Sequence, residues 1–297
     1  MKCVVGVDLE RRSSSVIDLL GRLQFAIDET VLLHVTEPIQ LSLPYSAYGM
    51  FVETDEIRST LRKSGEKVLV EASEEAYPLN LHPKTELSEG FPTSTISDYA
   101  KQAHAKLIAV TSTVRSTIGA VFGGSVARGL AISACQSLLV SREDVLPDEP
   151  LRVVFATDQS PYCAECAKLL VDFAPKGIAH MTLLTVHERA KHEGRLSLLR
   201  HTNTTAALDE AQANITVRGE EIAQWLSQNG IPTQSRVVTG SVDEMIHKVM
   251  KETHADLLIV GSQGHGFVDR VLVGSTSLHQ VICERYPVLL LRPRTCA

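Results

Sequence analysis

Glycines and hydroxyl residues with the chemistry of a phosphate site lie near the C-terminal end of the chain. Gly261 and Gly264 follow an apolar run, and Gly274 comes ten residues later, directly before Ser275 and Thr276. Glycine lets backbone N–H groups approach an anion closely, and hydroxyl residues suit the start of a helix, whose N-terminus favours negative charge. The pattern indicates a phosphate cradle. The alternative is a tight strand-to-helix turn that holds no ligand.

The apolar run before this loop, residues 257–260, is too short for a core helix and predicts a buried parallel strand. Ligands of parallel sheets bind beyond the carboxyl ends of the strands. A glycine loop at such an end is therefore well placed to line a crevice.

Composition limits the class of protein. With 297 residues, 44% of them hydrophobic and 22% charged, the chain is long enough for about two soluble globular domains. The net charge of −6 argues against general binding to nucleic acid or to anionic membranes. We find no signal segment, no apolar stretch of membrane-spanning length and no disulfide-framework spacing of the cysteines, and so expect a cytoplasmic protein.

The two halves of the sequence repeat one pattern. Four landmarks recur at a single offset of 150 residues: Asp8 with Asp158, 107–110 with 257–260, 124–125 with 274–275, and 139–142 with 289–292. Two copies of one domain explain this better than two unrelated domains. We predict domains at residues 1–146 and 151–297, joined by a short acidic, proline-containing linker.

Strand and helix patterns alternate within each copy. In the first copy, strands are expected near residues 2–7, 31–35, 84–87, 107–110 and 137–141, with the third the weakest. The second copy follows the same order and includes a long helix near 208–228. Alternation of this kind predicts an α/β fold with two tandem, doubly wound, five-stranded parallel sheets.

The spacing Gly261-x2-Gly264-x9-Gly274-Ser275 resembles the ATP-binding loop of the universal stress protein family. The resemblance extends over both copies and includes Asp158, which follows the first strand of the second copy. It implies a Rossmann-like fold of the adenine nucleotide alpha hydrolase-like type, in the arrangement of a tandem two-domain member. It also implies a role in the stress response.

The resemblance implies roles for individual residues of the second copy. Asp158 would accept a hydrogen bond from the adenine amine, and Val186 would line the adenine pocket. Gly261 and Gly264 would let the chain pass close to the ribose and the phosphates.

The remaining residues of the loop are assigned in the same way. Gly274, Ser275 and Thr276 would donate hydrogen bonds to phosphate oxygens. His265 lies inside the loop, as a phosphate contact or as a solvated side chain.

The first copy departs from the family pattern. Thr111 replaces Gly261, and Val114 replaces Gly264. A β-branched residue resists a left-handed backbone conformation and fills space that a nucleotide would need. We therefore expect a nucleotide site in the second copy and a degenerate one in the first.

Other chemical patterns are weaker. There is no P-loop motif and no dinucleotide fingerprint after the first strand of either copy. Cys163 and Cys166 have redox or metal spacing, but without a second pair they are better interpreted as ordinary helix cysteines. His247 and His254 are interpreted as packing or solvent-exposed residues rather than as metal ligands.

Three functions fit these observations. The first is a regulatory protein that binds ATP, ADP or AMP, with Mg²⁺ bridging the phosphates. The second is a slow ATPase or phosphoryl-transfer enzyme that uses Ser275 or His265. The third is a scaffold without nucleotide, in which the strands at Leu139 and Leu289 pair as an intramolecular pseudo-dimer and two chains form a homodimer.

Overall fold

The computed structural model describes residues 1–10, 12–38, 54–112, 124–143, 150–187, 204–263 and 273–293 of the chain. Within these ranges no helix combines the length and the apolar character needed to cross a lipid bilayer.

Strands and helices alternate in both halves, as predicted. The first half contains β1 (Lys2–Gly6), α1 (Ser14–Leu23), β2 (Glu29–Thr36), α2 (Thr54–Ala76), a 3-10 turn (Tyr77–Leu79), β3 (Pro83–Glu89), α3 (Pro92–Gln102), β4 (Leu107–Thr111), α4 (Ser125–Ser133) and β5 (Ser137–Ser141). The second half contains β6 (Leu151–Thr157), α5 (Pro161–Phe173), β7 (Ile178–His187), α6 (Thr204–Gln228), β8 (Thr233–Thr239), α7 (Val242–Glu252), β9 (Leu257–Gly261), α8 (Ser275–Cys283) and β10 (Val288–Leu291).

The described strands form one sheet in the order β3-β2-β1-β4-β5-β10-β9-β6-β7-β8. Pairing is parallel within each half and antiparallel only where β5 meets β10, with Leu139 opposite Leu289. The predicted pairing of the two final strands is confirmed. The two five-stranded sheets are therefore halves of a single ten-stranded sheet.

Position in the sheet explains the strength of each sequence pattern. The central strands β4 and β9 are apolar because helices cover both faces of the sheet, and every residue of β9 is buried. The weak third strand of the first half, β3, lies at the sheet edge and is mostly exposed or half-buried. An edge strand needs fewer apolar residues, which accounts for the faint signal.

Two hydrophobic cores lie on opposite faces of the sheet. One core includes Ile17 of α1 and Leu170 of α5, and the other includes Leu130 of α4 and Ile246 of α7. Each core runs through both halves of the chain. The two copies therefore pack as one body around the central strand pair.

Two buried arginines bind across the junction between the halves. Nη2 of Arg142 donates to the carbonyl oxygen of Val281 at 2.8 Å. In the reciprocal position, Arg292 donates to the carbonyl oxygens of Gln136, at 3.0 Å, and Ala131. Burial lowers the pKa of each guanidinium to about 10, so both stay charged at neutral pH. In the part of the chain that the structure describes, backbone carbonyls accept the hydrogen bonds of both guanidinium groups.

We expect the arginine contacts to stabilise the junction. Arg142→Ala removes the donors to the carbonyl oxygens of Val281, in a buried contact, and of Tyr286, in a half-buried one. The free energy of unfolding should fall by about 2–4 kcal/mol, measured by urea denaturation. As a control, Arg152→Ala removes an exposed side chain with one long contact, 3.4 Å to Thr253, and should change it by less than about 0.5 kcal/mol. Equal effects of the two substitutions would contradict this account.

Candidate functional site

A cleft of about 800 Å³ opens where the carboxyl ends of β6, β7 and β9 meet the N-terminus of α8. Six of the residues predicted from the sequence line it: Asp158, Val186, Gly261, Gly274, Ser275 and Thr276. Gly264 and His265 lie outside the described residues. The topology therefore brings the six described candidate site residues to one crevice, as expected beyond the carboxyl ends of parallel strands.

The N-terminus of α8 has no side-chain cap. Gly274 is the N-cap residue, and its N–H donates to the carbonyl oxygen of Ser262 at 2.6 Å. The first N–H groups of a helix have no acceptor within the helix. Those of Ser275 and Thr276 consequently lie at the cleft, where the helix dipole favours an anion. The Ser275 residue is exposed and Thr276 is half-buried.

Asp158 lines the same cleft. Its Oδ1 atom accepts a hydrogen bond from the N–H of Ser160 at 2.9 Å. Ser160 in turn caps α5, since its Oγ atom accepts from the N–H of Cys163 at 3.2 Å. The turn between β6 and α5 thus orients the carboxylate toward a cleft that half-buried Val186 also lines.

Gln159 was not identified from the sequence, although it lines the cleft. Its Nε2 atom donates to Oγ1 of Thr185 at 3.1 Å and to the carbonyl oxygen of Ile215 at 2.8 Å. Because a carbonyl only accepts, the amide nitrogen must face Ile215. Gln159 thereby links the β6–α5 turn to β7 and α6. The signal in the sequence was that a polar residue, Gln159, replaces Leu9 of the first copy. This position belongs to no motif.

The space beside Gly261 is occupied by α5. A Cβ atom at this position would lie 3.3 Å from Cε1 of Tyr162 and 3.2 Å from Sγ of Cys166. The Tyr162 hydroxyl also bonds to Oγ of Ser262 at 2.5 Å. Burial raises the pKa of Tyr162 to about 12, so the hydroxyl stays protonated. The glycine at 261 makes room for this tyrosine, a packing reason that sequence reasoning had not considered.

The first copy forms a corresponding cleft of about 440 Å³, lined by Asp8, Val35, Thr111, Gly124 and Ser125 among others. The carboxylate of Asp8 is bound on both oxygens by Arg12. The backbone N–H of Arg12 donates to Oδ1 at 2.9 Å, and its Nε donates to Oδ2 at 2.8 Å. In the second copy, the position that corresponds to Arg12 is occupied by Tyr162 and not by an arginine.

Thr111 of the first copy belongs to a cluster of three hydroxyl groups. Its Oγ1 atom lies 3.1 Å from Oγ of Ser15 and 3.0 Å from Oγ of Ser141. The two serine oxygens are 2.9 Å apart. The side chain of Thr111 therefore occupies a position where the second copy has only the backbone of Gly261. Val114, the other departure from the family pattern, lies outside the described residues.

The Cys163–Cys166 pair lies in the core. Both are buried free thiols, and burial raises the pKa of Cys163 to about 11 and that of Cys166 further. Their interpretation as ordinary helix cysteines is supported. Among the residues described, no group of three or more His, Cys, Asp or Glu side chains is placed to hold a metal ion. Cys135 is disulfide-bonded, so the lack of a disulfide-framework spacing did not exclude a single pairing.

The two predicted histidines have different surroundings. The exposed side chain of His247 places Nδ1 at 3.4 Å from the carboxylate of Glu284. His254 lies after α7 with a left-handed backbone, at φ = 50°.

Comparison with known proteins agrees with the fold and the repeat. The family model of the universal stress protein family matches twice, at residues 1–142 and 151–282. A universal stress protein of Mycobacterium tuberculosis is 27% identical over 216 residues, which cover 71% of this chain and 70% of the relative. Another from Mycolicibacterium smegmatis is 23% identical over 298 residues and covers 98% of this chain and 97% of the relative.

Solved structures of low identity share the fold. A universal stress protein from Archaeoglobus fulgidus superposes with a TM-score of 0.68 at 18% identity, covering 99% of this chain and 98% of that one. A putative universal stress protein from Pseudomonas aeruginosa gives a TM-score of 0.62 at 13% identity, covering 98% and 92%. With a family match in each half, the chain belongs to the universal stress protein family as a tandem two-domain member.

Proposed function

We propose that the C-terminal cleft binds an adenine nucleotide and that the chain is a nucleotide-binding regulatory protein of the stress response. One observation carries the proposal: the uncapped N-terminus of α8 and the carboxylate of Asp158 line the same cleft. The first suits phosphates and the second suits an exocyclic amine. ATP, ADP and AMP all have both groups.

The base would bind at the Asp158 end. An ionised carboxylate accepts several hydrogen bonds, so Asp158 can accept from the N–H of Ser160 and from an amine together. Ala156, Val186 and Ile246 provide apolar surface for a planar ring. Gln159 holds α6 against this end of the cleft through its bond to Ile215.

The phosphates would bind at the α8 end. The N–H groups and hydroxyls of Ser275 and Thr276 are the available neutral donors, and the exposed Arg218 also lines the cleft. Mg²⁺, where it accompanies the phosphates, would be held mainly by phosphate oxygens and water. The described residues offer no carboxylate cluster dedicated to it.

The first copy supports a single nucleotide site per chain. Both oxygens of Asp8 are bound by Arg12, which leaves the carboxylate poorly placed to accept from an amine. At the position of Gly261 the first copy has Thr111, whose hydroxyl bonds to Ser15 and Ser141, so the packing beside the two clefts differs. A nucleotide whose base depends on a carboxylate like that of Asp158 would bind only in the second copy.

The base end is tested by Asp158→Asn. The amide oxygen can still accept from Ser160, but the amide nitrogen presents a donor to the adenine amine. We expect the Kd for ATP to rise at least about tenfold, equivalent to about 1.4 kcal/mol, in isothermal titration calorimetry. The matched control Asp8→Asn should leave it unchanged. An equal loss in the control, or none at position 158, would refute the placement of the base.

The phosphate end is tested by the double variant Ser275→Ala/Thr276→Val, which removes both hydroxyls and keeps the shape of the threonine side chain. Because adenosine lacks phosphate, its affinity should stay the same while the Kd for ATP rises about five- to thirtyfold. Both ligands are measured by calorimetry on the full chain. Parallel losses for adenosine and ATP would place these hydroxyls away from the phosphates.

A further inference from the structure

A buried hydroxyl group in the N-terminal cleft lacks the hydrogen bond that the corresponding hydroxyl makes in the second copy. Ser112 is 2% exposed and lines the cleft, and its Oγ atom has no hydrogen-bond partner in the described part of the chain. The matching Ser262 is equally buried, but its Oγ atom bonds to the hydroxyl of Tyr162 at 2.5 Å. The difference follows from Arg12, which replaces the tyrosine and turns to Asp8.

We propose that the N-terminal cleft is a site for a phosphoryl group on a small molecule other than a nucleoside triphosphate. Ser112 and the N-terminus of α4 would hold it. The proposal concerns the other copy and does not depend on nucleotide binding in the C-terminal cleft.

Helix α4 presents its N-terminus to the unpartnered hydroxyl. Gly124 is the N-cap residue and makes no side-chain cap, and a Cβ atom there would lie 3.1 Å from Oγ of Ser112. Glycine therefore places no side chain against this buried hydroxyl. The first hydrogen bond of the helix runs from the N–H of Arg128 to the carbonyl of Gly124 at 3.1 Å. The N–H groups of residues 125–127 precede that bond and add donors beside Ser112.

Charges around the cleft limit the size of the anion. Arg12 pairs with Asp8 at 2.8 Å, with Glu10, and with Glu143 at 3.7 Å, and exposed Glu37 also lines the cleft. Among the described residues that line the cleft, the guanidinium of Arg12 is therefore outnumbered by carboxylates. A triphosphate would bring several negative charges close to these carboxylates, whereas one phosphoryl group brings fewer and can rely on the neutral donors of Ser112 and α4.

The walls of the cleft favour an uncharged body on the ligand. Leu33, Val35, Ile96 and Val110 line its inner side, and the cavity of about 440 Å³ is smaller than the 800 Å³ of the other cleft. A compact phosphomonoester fits these limits, and inorganic phosphate shares its anionic group. Asp8 corresponds to Asp158, but both of its oxygens already accept hydrogen bonds from Arg12.

The test titrates the full chain with inorganic phosphate and with phenyl phosphate by calorimetry, in low-salt buffer without nucleotide. All proteins in this test carry Ser275→Ala/Thr276→Val, which weakens the phosphate end of the C-terminal cleft, and this parent protein should bind one equivalent with millimolar or tighter affinity. Ser112→Ala should raise the Kd at least tenfold, and the matched control Ser262→Ala should leave it unchanged. Tighter binding of phenyl phosphate than of phosphate would identify an ester as the ligand, and equal binding would identify phosphate itself.

A second variant guards against a folding defect. Gly124→Ala places a methyl group over the Ser112 hydroxyl and should weaken phosphate binding in the same direction. Circular dichroism checks that both variants are folded. The proposal is overturned by an absence of saturable binding at millimolar phosphate, by unchanged affinity in folded Ser112→Ala, or by an equal loss in Ser262→Ala. None of these outcomes affects the ATP titrations of Asp158→Asn, which report on the other cleft.

Discussion

The antiparallel pairing of β5 with β10 is the contact on which the rest of the molecule depends. Strands are parallel within each half, so the carboxyl ends of all strands of one half point in the same direction. The strand direction reverses where Leu139 faces Leu289, and the carboxyl ends of the two halves therefore point in opposite directions. This arrangement places two related clefts on one sheet and keeps them apart. The buried arginines at 142 and 292 reinforce the same junction with bonds to carbonyls of the opposite half.

The two clefts are formed by the same arrangement of strands and helices, and they differ at two positions whose residues pack together. The second copy combines Tyr162 with Gly261, and the tyrosine ring packs where a Cβ atom would lie. The first copy combines Arg12 with Thr111, whose hydroxyl joins Ser15 and Ser141. Changing one member alone would create a clash or a gap. The exchange also decides which serine hydroxyl is bonded and which carboxylate is covered, so small packing changes alter the chemistry of the whole cleft.

Much of this architecture could be predicted from the sequence, for identifiable reasons. Central strands such as β9 are buried on both faces and give strong apolar runs, while the edge strand β3 gives a faint one. Topology alone then places Asp158 and Gly274 at one crevice. The bonds of Gln159 could not be predicted, because its partners Thr185 and Ile215 are distant in sequence and belong to no motif. The packing of Tyr162 on Gly261 and the pair between Arg12 and Asp8 depend likewise on side-chain directions that spacing does not encode.

The most direct test of this account is amide NMR on isotope-labelled full-length protein during an ATP titration. Binding in the C-terminal cleft predicts saturable shifts of the first-turn amides of α8, at Ser275 and Thr276, as one equivalent binds. The amides of Ser125 and Val126 at the start of α4 should stay in place at that point. Shifts confined to α4, with α8 unmoved at saturation, would contradict the account.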